Sequence, residues 1–217
     1  MTRSFSLWRT PAFWWRILIL VSCGVGLVTA DHRVIFFTTQ SNIIVFAYFS
    51  GALYGMGRRR TSDAPAPRLR GGVTLWITVT GLVAHFLLSG GANPLPGLFV
   101  PDPAEALTNQ SLFLLHYVTP VLVLVDWVAF GPHRKVRWRD TALWVLYPVG
   151  YGVVVLVRAA AAPTIADRFP YPFVDFTSMA PGDLVIGLLR VIAIVVVLAF
   201  AIVGLDRVGG ALRRRRR

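Results

Sequence analysis

The sequence predicts an all-α fold, a polytopic bundle of six transmembrane helices, and three observations carry that prediction. Hydrophobic residues make up 55% of the chain and charged residues only 15%, which is more apolar surface than one soluble core can bury. The apolar residues gather into six long runs, each near the length that crosses about 30 Å of hydrocarbon. Between alternate runs stand short basic clusters. A formal net charge of +12 would point to nucleic acid in a soluble protein. Clusters beside apolar runs instead mark loops facing an anionic cytoplasmic leaflet, so no nucleic-acid partner is expected.

The first span is residues 11–30. Arg3, Arg9 and Arg16 followed by a short apolar run ending in Val28, Thr29 and Ala30 resemble a cleavable secretory signal. Residues 11–15 are apolar too, however, and Arg16 can snorkel toward the headgroups, so the span is read as retained. Residues 34–56 are the second span, with FFTTQSN near its start. The segment 57–72 holds five arginines and two prolines and reads as a basic loop. Span three is residues 73–88, with His85 near its end. Residues 89–110 are rich in Gly and Pro and hold no Lys or Arg, with Asp102 and Glu105 their only charges. The fourth span is residues 111–130, followed by a basic turn at 131–140. The fifth is residues 141–160, containing Pro148 and, near its end, Arg158. An aromatic loop with the sequence FPYPFVDF leads to the sixth, residues 184–205, interrupted by Arg190. Residues 206–217 form a basic tail ending in five arginines, read as an anchor to anionic lipid.

The N-terminal segment, the loops at 57–72 and 131–140 and the tail together hold 18 of the 22 Lys and Arg residues, leaving Arg33, Arg158, Arg168 and Arg190. The positive-inside rule then puts both termini in the cytoplasm of a plasma-membrane protein, with residues 1–217 forming one domain. Cys23 is alone inside an apolar run, so neither a disulfide framework nor a thiolate metal site is expected. No cofactor is called for.

With that orientation spans two, four and six run inward. Thr38, His116 and Arg190 lie four to six residues into them, roughly 6–9 Å below the outer boundary at about 1.5 Å per residue. His85 and Arg158 come a few residues before the outer ends of spans three and five. An imidazole or a charge inside a span is costly unless paired or hydrated, and five at one depth point to a shared wet cavity. His116 and Thr38 are the chemically useful pair. A threonine hydroxyl becomes a nucleophile when a base within hydrogen-bond reach accepts its proton, and neutral histidine is the usual base. Arg190, Arg158, Asn42 or His85 would stabilise charge. Taken singly, Thr38, Thr39 and Ser41 each read first as helix back-bonding or packing residues. Asp126 lies ten residues past His116, about 15 Å deeper, too far to orient the imidazole, and is expected to pair with the basic turn at 134–139. His32 and His133 are expected to be solvated in turns.

FFTTQSNIIV, HYVTPVLVLVDW and YPFVD, in this order and spacing, resemble the androgen-induced-gene family of six-pass membrane proteins, in particular its prokaryotic branch. The resemblance covers about residues 15–205. It implies a threonine hydrolase that splits fatty acid esters of hydroxy fatty acids. The family's histidine matches His116, followed at the family's spacing by Asp126, and its threonine matches Thr38, with Thr39 one residue away as the alternative nucleophile. The chain departs from the animal pattern in Gln40, Ser41 and Asn42, a polar run that supplies an oxyanion donor or orients the histidine. The expected function is therefore an integral membrane hydrolase of fatty acyl esters, its partners being membrane lipids and the ester itself. The rival readings are a non-catalytic lipid- or ion-binding bundle and a haem protein with His85 and His116 as axial ligands.

Overall fold

The computed structural model describes residues 6–29 and 33–215, with side chains placed through residue 211. His32 and Arg3 lie outside the described residues. Six long helices account for most of the chain: α1 (Pro11–Val28), α2 (Phe37–Arg59), α3 (Pro67–Leu88), α4 (Pro103–Ala129), α5 (Asp140–Ala161) and α6 (Pro181–Arg215). Five of them, all but α2, are both long and apolar enough to cross a membrane. The exception follows from composition, because Thr38 to Asn42 replace a whole turn of apolar residues with polar ones.

Local signals set the helix ends. Pro11 occupies the first turn of α1 and Pro103 that of α4, positions where a missing N–H costs nothing. Asp102 caps α4, accepting hydrogen bonds from the Ala104 and Glu105 N–H groups at 2.7 and 3.0 Å. Helix α2 stops where Arg60 turns left-handed (φ 51°), its N–H bonded to the Met56 carbonyl. The basic segment 57–72 is thus mostly helix, shared between the end of α2 and the start of α3. Helix α4 likewise begins well before residue 111, at Pro103.

Helix α3 is the hub. Its membrane-length window is 56% buried, against 17% for α5 and for α6, and it packs on α2, α4, α5 and α6. Small residues allow the close approach. A Cβ on Gly71 would fall 2.2 Å from the Trp144 ring, and that indole donates to the Arg68 carbonyl at 2.8 Å. On α1 the stripe Ala12, Arg16, Ile19, Cys23 and Gly26 recurs every three or four residues and faces inward. The outward faces of α5 and α6 are the reverse of a soluble protein's. Leu143, Leu146, Val153, Val157, Val185 and Val197 are all more than half exposed, the pattern of a surface that meets lipid.

Three ionisable residues depart from expectation. Arg16 does not snorkel; it is fully buried, and its Nε donates to Asp126 Oδ1 at 3.1 Å. Asp126 pairs not with the basic turn but with Arg16 and with Arg70, whose Nη2 donates to Oδ2 at 2.6 Å. Two guanidiniums on one buried carboxylate thus tie α1, α3 and α4 together, and Arg70 also lies over the Trp127 ring at 5.1 Å. The sequence misleads because it shows how close residues are along the chain, and these partners are 110 and 56 residues from Asp126. His133 is not solvated either: its side chain is 5% exposed and sits 3.5 Å from Asp206 on α6.

Candidate functional site

The site forms where α2 begins and α4 is distorted. Pro120 has no N–H to give to the carbonyl four residues back, which belongs to His116. Around that defect α4 widens into a π-helical turn, Leu114–Val118, with His116 at its centre. Helix α3 closes on the same spot through Gly81, where a Cβ would fall 2.7 Å from the His116 carbonyl oxygen and 3.3 Å from Pro120 Cβ. A second π turn, Val83–Leu88, carries His85 just beyond. On the other side, Ser111 Oγ donates to the Gly26 carbonyl at 2.6 Å, and the Leu115 side chain fills the gap left by that glycine. The imidazole is therefore held by backbone geometry on both flanks.

Its hydrogen bonds fix the tautomer. Nδ1 lies 2.8 Å from the Leu112 carbonyl oxygen. A carbonyl only accepts, so Nδ1 carries the hydrogen and Nε2 presents its lone pair. Nε2 lies 3.1 Å from Thr38 Oγ1, the arrangement in which a hydroxyl donates its proton to a neutral imidazole. A main-chain carbonyl thus orients the histidine where a carboxylate often does, and neither Glu105 nor Asp175 is needed.

Thr38 sits in the first turn of α2. Asn42 Nδ2 donates to the Thr38 carbonyl at 2.9 Å and to the Leu115 carbonyl at 3.3 Å, so one amide fixes α2 against the π turn of α4. Ser41 Oγ donates to the Thr38 carbonyl and meets Thr80 Oγ1 at 2.8 Å. Gln40 bonds the Val34 carbonyl through its amide and accepts from the Tyr147 hydroxyl at 2.9 Å. The polar run is consequently a brace for the threonine. Thr39, about 100° further round the helix, is buried and lines neither cavity described below.

Two cavities flank the pair. An apolar cleft of about 180 Å³ is walled by α3, α5, α6 and the 162–180 loop, and Thr38 lies on its wall with Phe37, Val83, Tyr151, Tyr171 and Leu188. A vestibule of about 390 Å³ holds His116 on its wall, with Ser89, Asn93, Asn109 and Tyr117. Ala84 and Leu88 border both. The hydroxyl thus belongs to the apolar cleft and the imidazole to the more polar vestibule.

The remaining candidates stand apart. His85 Nδ1 lies 3.4 Å from the Tyr117 hydroxyl, and the residue lines neither cavity. Arg158 donates to the Ala166 and Asp167 carbonyls of its own loop. Arg190 is exposed on α6, away from both cavities. Among the described residues no group of three or more His, Cys, Asp or Glu gathers into a metal-binding set.

One residue was missed by sequence reasoning. Tyr171, in the loop between α5 and α6, is buried and lines the cleft beside Thr38. Its ring stacks on Phe173 at 5.3 Å and meets Phe36 edge-on at 6.0 Å. Burial pushes the phenol above its ordinary pKa, opposed by the Thr38 hydroxyl, the backbone of Thr38 and Phe37, and Tyr151 around its oxygen. The signal available in sequence was the aromatic density of FPYPFVDF, which reads first as an interfacial loop. Comparison with family models, with characterised proteins and with solved structures finds no match.

Proposed function

We propose that this protein is an integral membrane hydrolase of fatty acyl esters, with Thr38 as nucleophile and His116 as general base. The observation that carries the reading is the 3.1 Å contact between Thr38 Oγ1 and an imidazole nitrogen whose partner nitrogen is spent on a carbonyl, set between an apolar cleft and a polar vestibule. An acyl chain enters the cleft from the lipid side. Thr38 gives its proton to His116 Nε2 and attacks the ester carbon. The tetrahedral intermediate collapses, the alcohol leaves with the proton from Nε2, and an acyl-threonine remains. Water from the vestibule, deprotonated by the same nitrogen, releases the fatty acid and restores Thr38.

In this reading all six helices cross the plasma membrane, with both termini cytoplasmic, as the distribution of basic residues favours. Helix α2, the least apolar, packs on α1 and α3, meets α4 at its π turn and turns the apolar Ile43 and Phe46 outward. The resemblance of FFTTQSNIIV, HYVTPVLVLVDW and YPFVD to the androgen-induced-gene family points the same way.

The test is hydrolysis of a long-chain p-nitrophenyl ester by purified protein in detergent. Thr38→Ala and His116→Ala are each expected to lower kcat by about 10²–10⁴-fold, while Thr39→Ala stays near wild type. Undiminished turnover by the first two would overturn the assignment. A non-catalytic lipid-binding role is the second reading, favoured by the cleft's apolar lining, which would seat an acyl chain with or without chemistry. Covalent labelling of Thr38 by a fluorophosphonate separates the two, because a passive pocket leaves the hydroxyl unactivated.

A further inference from the structure

An ester hydrolysed by Thr38 needs a donor for the negative charge that develops on the carbonyl oxygen, and the groups nominated by the sequence do not reach it. The Asn42 amide is committed to the Thr38 and Leu115 carbonyls. Arg158 is tied to its loop, and Arg190 and His85 line neither cavity. Four polar side chains line the cleft among the described residues: Thr38, Thr80, Tyr151 and Tyr171. Thr38 serves as nucleophile. Thr80 donates to the Trp76 carbonyl at 3.1 Å and pairs with Ser41. Tyr151 donates to the Ile35 carbonyl at 2.9 Å. Tyr171 remains, with its ring fixed between Phe173, Phe36 and Tyr151.

We propose that Tyr171 is a catalytic residue, its phenol O–H donating to the carbonyl oxygen of the ester as Thr38 attacks. The assignment rests on the hydrolase reading above and deepens it. Tyr171 lines the same cleft as Thr38, and its ring packs against Phe36, two residues before the nucleophile. An ester seated in this cleft of about 180 Å³ with its carbonyl carbon at Thr38 Oγ1 turns its oxygen toward the one phenol of the lining that no backbone carbonyl engages. In the first step the Oγ1–C bond forms, the carbonyl π pair moves onto oxygen, and the Tyr171 O–H stabilises that charge without transferring its proton. The Thr38 proton goes to His116 Nε2. On collapse the C–O bond to the alcohol breaks, and the alcohol oxygen takes that proton. The same donor serves again when water attacks the acyl-threonine. Because Phe36, Phe173 and Tyr151 hold the ring, the donor is in position before charge appears, the condition under which such hydrogen bonds contribute most to rate.

The test compares Tyr171→Phe with wild type in the p-nitrophenyl ester assay, with thermal unfolding as the check on folding. Tyr48→Phe is the control: it removes another buried phenol, the one donating to the Pro65 carbonyl at 2.7 Å, far from both cavities. The expected result is a loss of about 10²–10³-fold in kcat for Tyr171→Phe with KM little changed, and near wild-type kcat for Tyr48→Phe. A fluorinated tyrosine at 171 keeps ring and shape but changes phenol acidity. It is expected to shift the high-pH limb of kcat toward neutral, which a purely structural ring would not do. Should wild type turn over while Tyr171→Phe stays within about twofold of it, or should the fluorinated residue leave the pH profile unmoved, the Tyr171 assignment falls and the hydrolase reading stands. If wild type neither turns over ester nor labels at Thr38, both fall.

Discussion

At the residue scale the site depends on a proton position, and a peptide carbonyl sets it. With the Leu112 oxygen holding the Nδ1 hydrogen, Nε2 presents its lone pair to the Thr38 hydroxyl. The depth argument from sequence brought Thr38 and His116 to one level because a helix advances a fixed distance per residue. It had no access to azimuth, so it grouped them with Arg158, Arg190 and His85, which line neither cavity. Tyr171 escaped because loop residues carry no periodicity from which to derive position. The loop that delivers it has its own lock. Asp175 accepts from the Thr177 hydroxyl at 2.6 Å and from the Thr177 and Ser178 N–H groups, and the Thr177 hydroxyl is the chief reason its pKa lies below the ordinary carboxylate value. A depressed folded-state pKa means the lock is in force above the unfolded carboxylate's pKa and is lost as pH falls through the folded value. Amide exchange at residues 171–178 is therefore expected to accelerate under acid conditions in wild type, and Asp175→Asn to show the faster exchange already at neutral pH.

At the scale of the element, α4 is a helix made useful by a fault. Pro120 removes one backbone donor, the π turn absorbs the change, and Gly81 lets α3 press against the exposed carbonyl. Pro120→Ala restores that donor and is expected to draw the turn back toward α-helical geometry, rotating His116 away from Thr38. Activity should fall by more than tenfold with stability unchanged or higher, read by ester turnover beside thermal unfolding. Gly81→Ala attacks the same joint from α3. Its methyl has backbone to displace, not the far end of a flexible side chain, so a loss of about 1–3 kcal/mol and of turnover together is expected. Pro120 and Gly81 were visible in the sequence, but kinks have many outcomes and only the neighbouring helix decides which one forms.

At the scale of the molecule, apolar runs located the helices and left their partners open. An all-helical fold follows from run length alone, whereas the grouping of α1, α3 and α4 around Asp126 depends on residues far apart in the chain. Asp126→Ala strips two buried guanidiniums of their shared carboxylate, and removing one partner from a buried ion cluster costs about 3–5 kcal/mol. The variant is expected to unfold at markedly lower temperature in detergent while any protein that remains folded keeps its affinity for fluorophosphonate. Loss of activity without loss of stability would mean that the cluster communicates with the site.

Ala84 and Leu88 border both the cleft and the vestibule, and the Thr38–His116 pair has one member on each wall. Among the described residues no Asp, Glu, Lys or Arg borders either chamber, so an ion travelling this way would meet hydroxyls, amides and an imidazole but no side chain of fixed charge. Under the hydrolase proposal, water would reach Thr38 and His116 through a chamber that offers salts no fixed counter-charge.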